Sequence, residues 1–312
     1  MSDTPPAERD VADLDPDLWH SVEVEVESIE ASVDEQRGTK EKFWVSRSDD
    51  DRLWLFKFAR SPGGITRGED WAEWVVHKLG QVFGVPTATV VPAHVGNRRG
   101  VLSRNFVEYD ERLVLGNSLL SDRDRSYDPN KKGVNELYTP ASVRSVLQAV
   151  SAPDPALSHL SGFDVWAGYL ILDALVAGSD RHDQNWGVVR TRSTRRLTPS
   201  FDHGTALGFQ ESDQRRLQLL GDQDLLSRWI GRGSSRHFAG KPALVAVAHD
   251  ALRLASAEAR QHWRERLAHV SDQHVAATVV SIPTEVMSDP ARNLARALVR
   301  ENRRRLLDGY PD

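Results

Sequence analysis

The spacing of apolar residues predicts strands and one helix in the first third of the chain. Valine and glutamate alternate from Val22 to Glu27, which is typical of a half-exposed strand. Two further apolar runs, separated by a polar turn at 49–51, predict a second strand and a third strand that ends near Arg60. Apolar residues then recur at helical spacing over 69–83 and are followed by Gly84-Val85-Pro86, so we expect a helix that ends there.

Helical periodicity dominates the rest of the chain. Strands are expected within 87–95 and 100–109, and the pattern becomes mostly helical from Leu113 onward. The apolar stretch 160–178 predicts a helix buried at the centre of its lobe. A short strand pair, "WGVVRT" and "RRLTPSF", follows it, and helices are expected to fill the remainder, including 283–289.

This order of elements predicts an α+β fold with two lobes. A small, β-rich N-terminal lobe with one helix is expected over 18–108, and a larger, mostly helical C-terminal lobe over 109–312. Residues 1–17 are acidic and proline-containing, which predicts a flexible tail. A cleft between two such lobes is a common place for a ligand site.

Composition narrows the classes of function. The chain has 312 residues, a formal net charge of −5 and no cysteine, which excludes disulfides, thiolate metal sites and a cysteine nucleophile. Because no strongly basic field is present, direct binding to nucleic acid is not expected. The sequence shows neither a signal peptide nor an apolar run long enough to span a bilayer, so we expect a cytoplasmic protein that does not act in a membrane.

Carboxylate and carboxamide side chains are concentrated around one short hairpin. Asp180 and Asn185 have the spacing of a kinase catalytic loop, directly after the buried helix and before a strand. Asp202 follows the hairpin, where a second ligand for Mg²⁺ would stand. A phosphate-binding lysine belongs on the third strand, and Lys57 lies there. Its glutamate partner should lie on the next helix, where Glu73 and Glu69, one turn apart on the same face, are the candidates.

These parts and their order resemble the HipA-like serine/threonine kinases, a branch of the protein-kinase-like fold. The segment "GSDRHDQNWGV" is similar to the catalytic loop of that family, and "PSFDHGTALG" to its metal-binding segment. The segment "GEDWAEWVVHKLGQVFGVP" resembles its N-lobe helix, and "GTKEKFWV" its phosphate-covering loop. The likeness covers about residues 20–210, and the helical remainder resembles the family only in type.

The resemblance implies a set of ligands and roles. It implies ATP and Mg²⁺ as cofactors, a protein serine or threonine as the acceptor, and a neutralising or regulatory partner of the toxin–antitoxin kind. Asp180 would orient or deprotonate the acceptor hydroxyl, Asn185 and Asp202 would bind Mg²⁺, and Lys57, held by Glu73, would bridge the α- and β-phosphates. The backbone positions implied to contact the nucleotide are Gly38, Thr39 and Lys40 over the phosphates, and Phe106, Val107 and Glu108 at the adenine.

Three other readings stay open at this point. A kinase of the same fold could act on a small molecule or a lipid, because the sequence has no readable specificity pocket. The adjacent pair His182-Asp183 occurs in HD-type metal phosphohydrolases, although those enzymes are all-helical around the metal. The third is a kinase-shaped binding module without catalysis. Such a module would lack the lysine, the asparagine or an aspartate of the site, and none of these is missing here.

Overall fold

The computed structural model describes residues 19–25, 41–47 and 50–311. The predicted tail 1–17, most of the first predicted strand and the whole of Gly38-Thr39-Lys40 lie outside these residues. The predicted α+β class is confirmed, because a strand-rich first part is followed by a mostly helical remainder. The lobe boundary placed between residues 108 and 109 stays a prediction.

Among the described residues, five strands form the first sheet, with β5 at its centre in the order β1-β4-β5-β3-β2. In chain order they are β1 Val22–Glu23, β2 Lys42–Arg47, β3 Asp50–Phe58, β4 Val90–Val95 and β5 Arg98–Arg104. All neighbouring pairs are antiparallel except β1 and β4. A second sheet of three strands, ordered β6-β7-β8, contains β6 Arg112–Leu115, β7 Gly187–Arg190 and β8 Arg195–Leu197.

Ten helices are present among the described residues. They are α1 Glu69–Phe83, α2 Gly116–Arg123, α3 Pro140–Leu147, α4 Gly162–Val176, α5 Asp213–Gly221, α6 Gln223–Gly231, α7 Leu244–Leu254, α8 Ala257–His269, α9 Asp272–Val280 and α10 Asp289–Asp308. None of the helices in this part of the chain combines the length and the apolar character that crossing a bilayer requires.

The boundaries of α1 agree with the sequence prediction. Gly84 ends the helix in the left-handed region, at φ 82°, where glycine is favoured because it has no Cβ. The amide of Gly84 donates to the carbonyl oxygens of Gly80 and Gln81, and this satisfies groups that the last turn leaves without helical partners.

Two predicted strand boundaries and one predicted helix were wrong, and side-chain bonds explain the two boundaries. Asp50 opens β3 instead of lying in a turn, because its carboxylate binds Arg104 on the neighbouring β5. β5 ends at Arg104 and not at Tyr109, since the Asn105 side chain accepts from the amide of Val107 and turns the chain. The helix expected over 283–289 is a turn, and α9 precedes it.

The apolar residues form two separate clusters. The smaller one lies within the first sheet and consists of Val24, Val45, Trp54, Phe56, Phe58, Ala93 and Leu102. The larger one joins the helical remainder and includes the buried face of α1 together with Val90 and Val101 from the sheet. Helix α1 is therefore packed against the helices as well as against the sheet, and its apolar side chains belong to the larger cluster.

Candidate active site

Lys57 points away from the small apolar cluster toward α1. It lies between Phe56 and Phe58 on β3, and because side chains alternate along a strand, the two phenylalanines pack on one face and Lys57 on the other. Its Nζ atom is 3.1 Å from Glu73 Oε1 and 3.3 Å from Asp202 Oδ1. The structure thus brings together three predicted site residues that are distant in sequence.

The two candidate glutamates of α1 have different partners. Glu73, buried in the middle of the helix, binds Lys57. Glu69 accepts hydrogen bonds from Arg60, from the backbone amide at 2.8 Å and from Nε at 2.6 Å. Of the two residues, Glu73 is the one that lies beside the lysine.

Lys57 keeps its charge despite its burial. Burial acts to lower the pKa of this ammonium group, but the negative charges of Asp202 and Glu73 outweigh it, and the pKa is raised above the ordinary lysine value. The side chain is 12% exposed, whereas Asp202 is 35% exposed and reaches solvent. A fixed cation therefore stands beside a carboxylate that remains accessible to a ligand.

Asp202 has an unusual backbone conformation. Its φ of 61° lies in the left-handed region, which aspartate tolerates better than most residues other than glycine. The preceding Phe201 packs its ring against Phe106, with ring centroids 5.5 Å apart. This packing ties the start of the segment to the predicted adenine-binding stretch.

Arg181 anchors the loop that carries Asp180 and Asn185. It is buried and binds both carboxylate oxygens of Asp173 on α4, at 2.7 and 2.8 Å. It also donates to the carbonyl oxygen of Asn185 at 2.6 Å and to Ser200 Oγ at 2.8 Å. Burial raises the pKa of Asp173 and the charge of Arg181 opposes that effect. The loop is thereby held to the central helix and to the segment before Asp202.

Sequence reasoning missed Arg181, although a signal for it was present. Asp164 lies in the first turn of α4, and Asp173 is the carboxylate that follows deeper in the helix, among apolar residues. A buried carboxylate needs a partner. The nearest cation that follows in the sequence is Arg181. His203, also buried and missed, bonds to the same Ser200 hydroxyl at 2.9 Å.

Asp180 and Asn185 are linked through the loop backbone. The Asn185 carboxamide nitrogen donates to the carbonyl oxygen of Asp180 at 2.8 Å, and the amide of His182 donates to the same oxygen. The Asp180 side chain is 36% exposed and approaches His237, 2.7 Å from Nε2. Since the carboxamide nitrogen of Asn185 is used inside the loop, its oxygen remains to accept or coordinate.

His182 and Asp183 are half-buried, and both have hydrogen-bond partners. The Nδ1 atom of His182 accepts from the amide of Gln184 at 3.1 Å, so the ring braces the loop. The carboxylate of Asp183 accepts from the Tyr127 hydroxyl at 2.6 Å. Burial raises the pKa of Asp183, and the bond from Tyr127 opposes that shift.

The predicted adenine-binding stretch runs between β5 and β6, and its backbone already has partners. Phe106 O accepts from Arg196 at 3.1 Å, the Val107 amide donates to Asn105, and the Glu108 amide donates to Glu111. Arg196 also binds the Glu111 carboxylate. Arg196 therefore connects β8 to this stretch.

The donor set fits a magnesium ion that is shared with phosphates. Asp202 supplies a carboxylate and Asn185 a carboxamide oxygen, and Mg²⁺ prefers such hard oxygen ligands together with phosphate oxygens and water. Within residues 19–25, 41–47 and 50–311, no three or more acidic or histidine side chains converge to hold an ion on their own. A cation at this place would need further oxygen ligands, such as phosphate or water oxygens.

Comparison with solved structures agrees with this architecture, whereas the sequence comparisons found no match. No protein-family model matches the chain, and no curated protein matches it in sequence. A solved structure of a Helicobacter pylori proinflammatory kinase, CtkA, is similar with a TM-score of 0.73 and 16% identity, over 93% of this chain and 96% of that chain. A complex of HipA and HipB with operator DNA from Shewanella oneidensis MR-1 matches with a TM-score of 0.40 and 13% identity, over 88% and 66%. The similarity to CtkA confirms the predicted kinase-like fold.

The buried ion pair gives a stability prediction. Arg181→Met is expected to lower the free energy of unfolding by about 3–5 kcal/mol, because Asp173 is then left buried without a compensating charge. Urea unfolding checks this value. Arg253→Met, which removes an exposed pair with Asp250, is the control and should change stability by less than about 1 kcal/mol. Equal effects of the two substitutions would mean that the buried pair does not hold the loop.

Proposed function

We propose that this protein is an ATP-dependent phosphotransferase, most similar in its parts to the HipA-like serine/threonine kinases. The observation that carries the proposal is the position of Lys57, whose Nζ lies within hydrogen-bonding distance of both Glu73 and Asp202. A lysine on the third strand, paired with a helix glutamate and close to an aspartate that can hold a metal ion, is the arrangement that protein kinases use for phosphoryl transfer. The kinase-like fold supports the same reading.

Each side chain has a role in this proposal. Lys57 would contact the nucleotide phosphates, and its partner Glu73 would hold it in place. Asn185 and Asp202 would hold Mg²⁺, which supplies charge compensation at the phosphate oxygens when bound. Asp180 would orient the acceptor hydroxyl and take its proton. The acceptor oxygen forms a bond to the γ-phosphorus as the bond from that phosphorus to the bridging oxygen breaks, and ADP leaves.

The acceptor is proposed to be a serine or threonine of a protein. The proposal follows the sequence resemblance, and the test is incubation with γ-labelled ATP, Mg²⁺ and host lysate, followed by identification of the labelled species. A labelled protein supports a protein kinase. A labelled lipid or metabolite would assign a different acceptor to the same site, and release of phosphate alone would favour a hydrolase. The partner implied by the resemblance stays a prediction.

Lys57→Met is expected to reduce transfer by about 10²–10³-fold, because the site loses a fixed cation from the charge that develops on the phosphates. Methionine keeps the length of the side chain, so β3 should still form. Initial rates with labelled ATP measure the loss. Lys78→Met on α1 is the matched control. Its rate should stay near that of the parent, because Lys78 lies over the ring of Trp74 and is not among the residues proposed for the site. Equal rates for Lys57→Met and the parent would remove Lys57 from the site.

A further inference from the structure

His237 is attached to the catalytic loop although it lies 57 residues further along the chain. It belongs to the irregular segment between α6 and α7. The amide of its neighbour Arg236 donates to Ser179 O at 3.3 Å, and His237 O accepts from the Asn135 amide at 3.0 Å. These backbone hydrogen bonds of Arg236 and His237 thus fix the position of the His237 imidazole next to Asp180.

The side-chain contact is short and directed. Nε2 of His237 lies 2.7 Å from Oδ1 of Asp180, and the imidazole is 19% exposed. In the described part of the chain, Oδ2 of Asp180 has no hydrogen-bond partner. One oxygen of the carboxylate is therefore held by the protein, and the other remains for a ligand.

The other titratable groups nearby are engaged elsewhere. The ring of His182 contacts that of His237, with centroids 5.1 Å apart, but its Nδ1 already accepts from the Gln184 amide. Asp183 interacts electrostatically with both imidazoles, and its carboxylate accepts from Tyr127. Among the described residues, Asp180 is thus the acidic group that His237 contacts directly.

We propose that His237 is a positioning residue for Asp180 and fixes the carboxylate so that Oδ2 can receive the acceptor hydroxyl. This inference rests on the proposed function, because it assigns to Asp180 the role of orienting the acceptor. An aspartate carboxylate rotates about two side-chain bonds and samples several orientations, and a fixed donor selects one of them. Among the described residues, the loop itself supplies no such donor, since its own hydrogen bonds to Asp180 end on the backbone oxygen.

The kinetic test compares two substitutions. His237→Leu removes the hydrogen bond and is expected to lower kcat by about 10–100-fold, the loss that corresponds to a charge-assisted hydrogen bond. The KM for ATP should stay within about twofold, because the nucleotide contacts other residues. His237→Gln places an amide nitrogen near the position of Nε2 and should recover most of the rate. His94 on β4, a half-buried histidine whose Nδ1 contacts Ser21 Oγ at 2.9 Å, supplies the control, and His94→Gln should match the parent. An unchanged kcat in His237→Leu overturns the proposal.

A double-mutant cycle separates positioning from a general structural effect. In the Asp180→Asn background, His237→Leu should cause little further loss, since the carboxylate that it positions is gone. If it lowers kcat by the same factor in both backgrounds, the two residues act independently and the proposal fails.

A measurement without turnover keeps this inference distinct from the proposed function. In protein labelled with ¹⁵N-histidine, the His237 signal is assigned with His237→Gln, and Asp180→Asn should shift it while the His94 signal stays in place. No shift would overturn the contact itself, even if transfer is observed. If the shift appears but the parent transfers no phosphate to any acceptor, the contact stands, and it is the proposed function that fails together with the role given to His237.

Discussion

Asp202→Ala is expected to abolish phosphoryl transfer, with a loss of at least about 10³-fold, because several kcal/mol of charge stabilisation would disappear with the carboxylate that is proposed to hold the metal ion. Lys57 also loses one of its two carboxylate neighbours. The fold should persist, because the side chain is partly exposed and lies outside both apolar clusters.

The backbone at this position requires a second variant. Alanine is strained at a φ of 61°, whereas asparagine tolerates this conformation, so Asp202→Asn separates loss of the carboxylate from strain. Transfer assays and thermal unfolding of both variants are compared with Asp250→Asn, which changes an exposed carboxylate of α7. Turnover at the parent level in Asp202→Asn would show that the "FDHG" segment was assigned wrongly.

Asp180→Asn is expected to slow transfer by about 10²–10⁴-fold while Mg²⁺-ATP binds nearly as in the parent. The reason is that Asp180 would face the acceptor and not the nucleotide. The loop should keep its shape, since its internal bonds end on the backbone oxygen of Asp180 and do not involve the carboxylate. Calorimetry of Mg²⁺-ATP binding beside a transfer assay measures both quantities.

The same pair of assays distinguishes the rival classes. In an HD-type hydrolase, His182→Ala and Asp183→Ala would give the dominant defects through loss of metal, and phosphate would pass to water without any acceptor. In a binding module no variant would alter catalysis, since the parent would have none. Lost nucleotide affinity in Asp180→Asn, or full transfer activity, would contradict the role given to Asp180.

Local patterns in the sequence were enough to predict several elements and the residues proposed for the site. The limits of α1 follow from its apolar spacing and from Gly84, and the alternation on β3 predicted the face on which Lys57 lies. The choice between Glu69 and Glu73 could not be made from spacing alone, because both residues lie on the same face one turn apart. Arg60, which comes before the helix, binds Glu69 and so distinguishes them in the structure.

Contacts between distant irregular segments could not be predicted in this way. His237 lies in "GRGSSRHFAGKP", where neither a helical nor a strand period exists, so nothing in the local pattern places it beside Asp180. The ion pair of Arg196 could not be predicted from the hairpin around it, because its partner Glu111 lies 85 residues earlier in the chain. The expected helix over 283–289 failed because the amides of Val286 and Met287 both bond back to Pro283 O and close a turn.

The separation of the two apolar clusters has a consequence for how this protein unfolds. Regions with their own small core can open at a lower free energy than the rest of a domain. The first sheet has such a core, and Lys57 links it to Glu73 on α1 and to Asp202 on the helical side. A ligand held by Lys57 and Asp202 together would bind only the closed form, and by mass action it would make opening of the sheet less favourable. With this ligand bound, we expect the sheet and the helices to unfold as one cooperative unit. Without the ligand, we expect the sheet to open by itself.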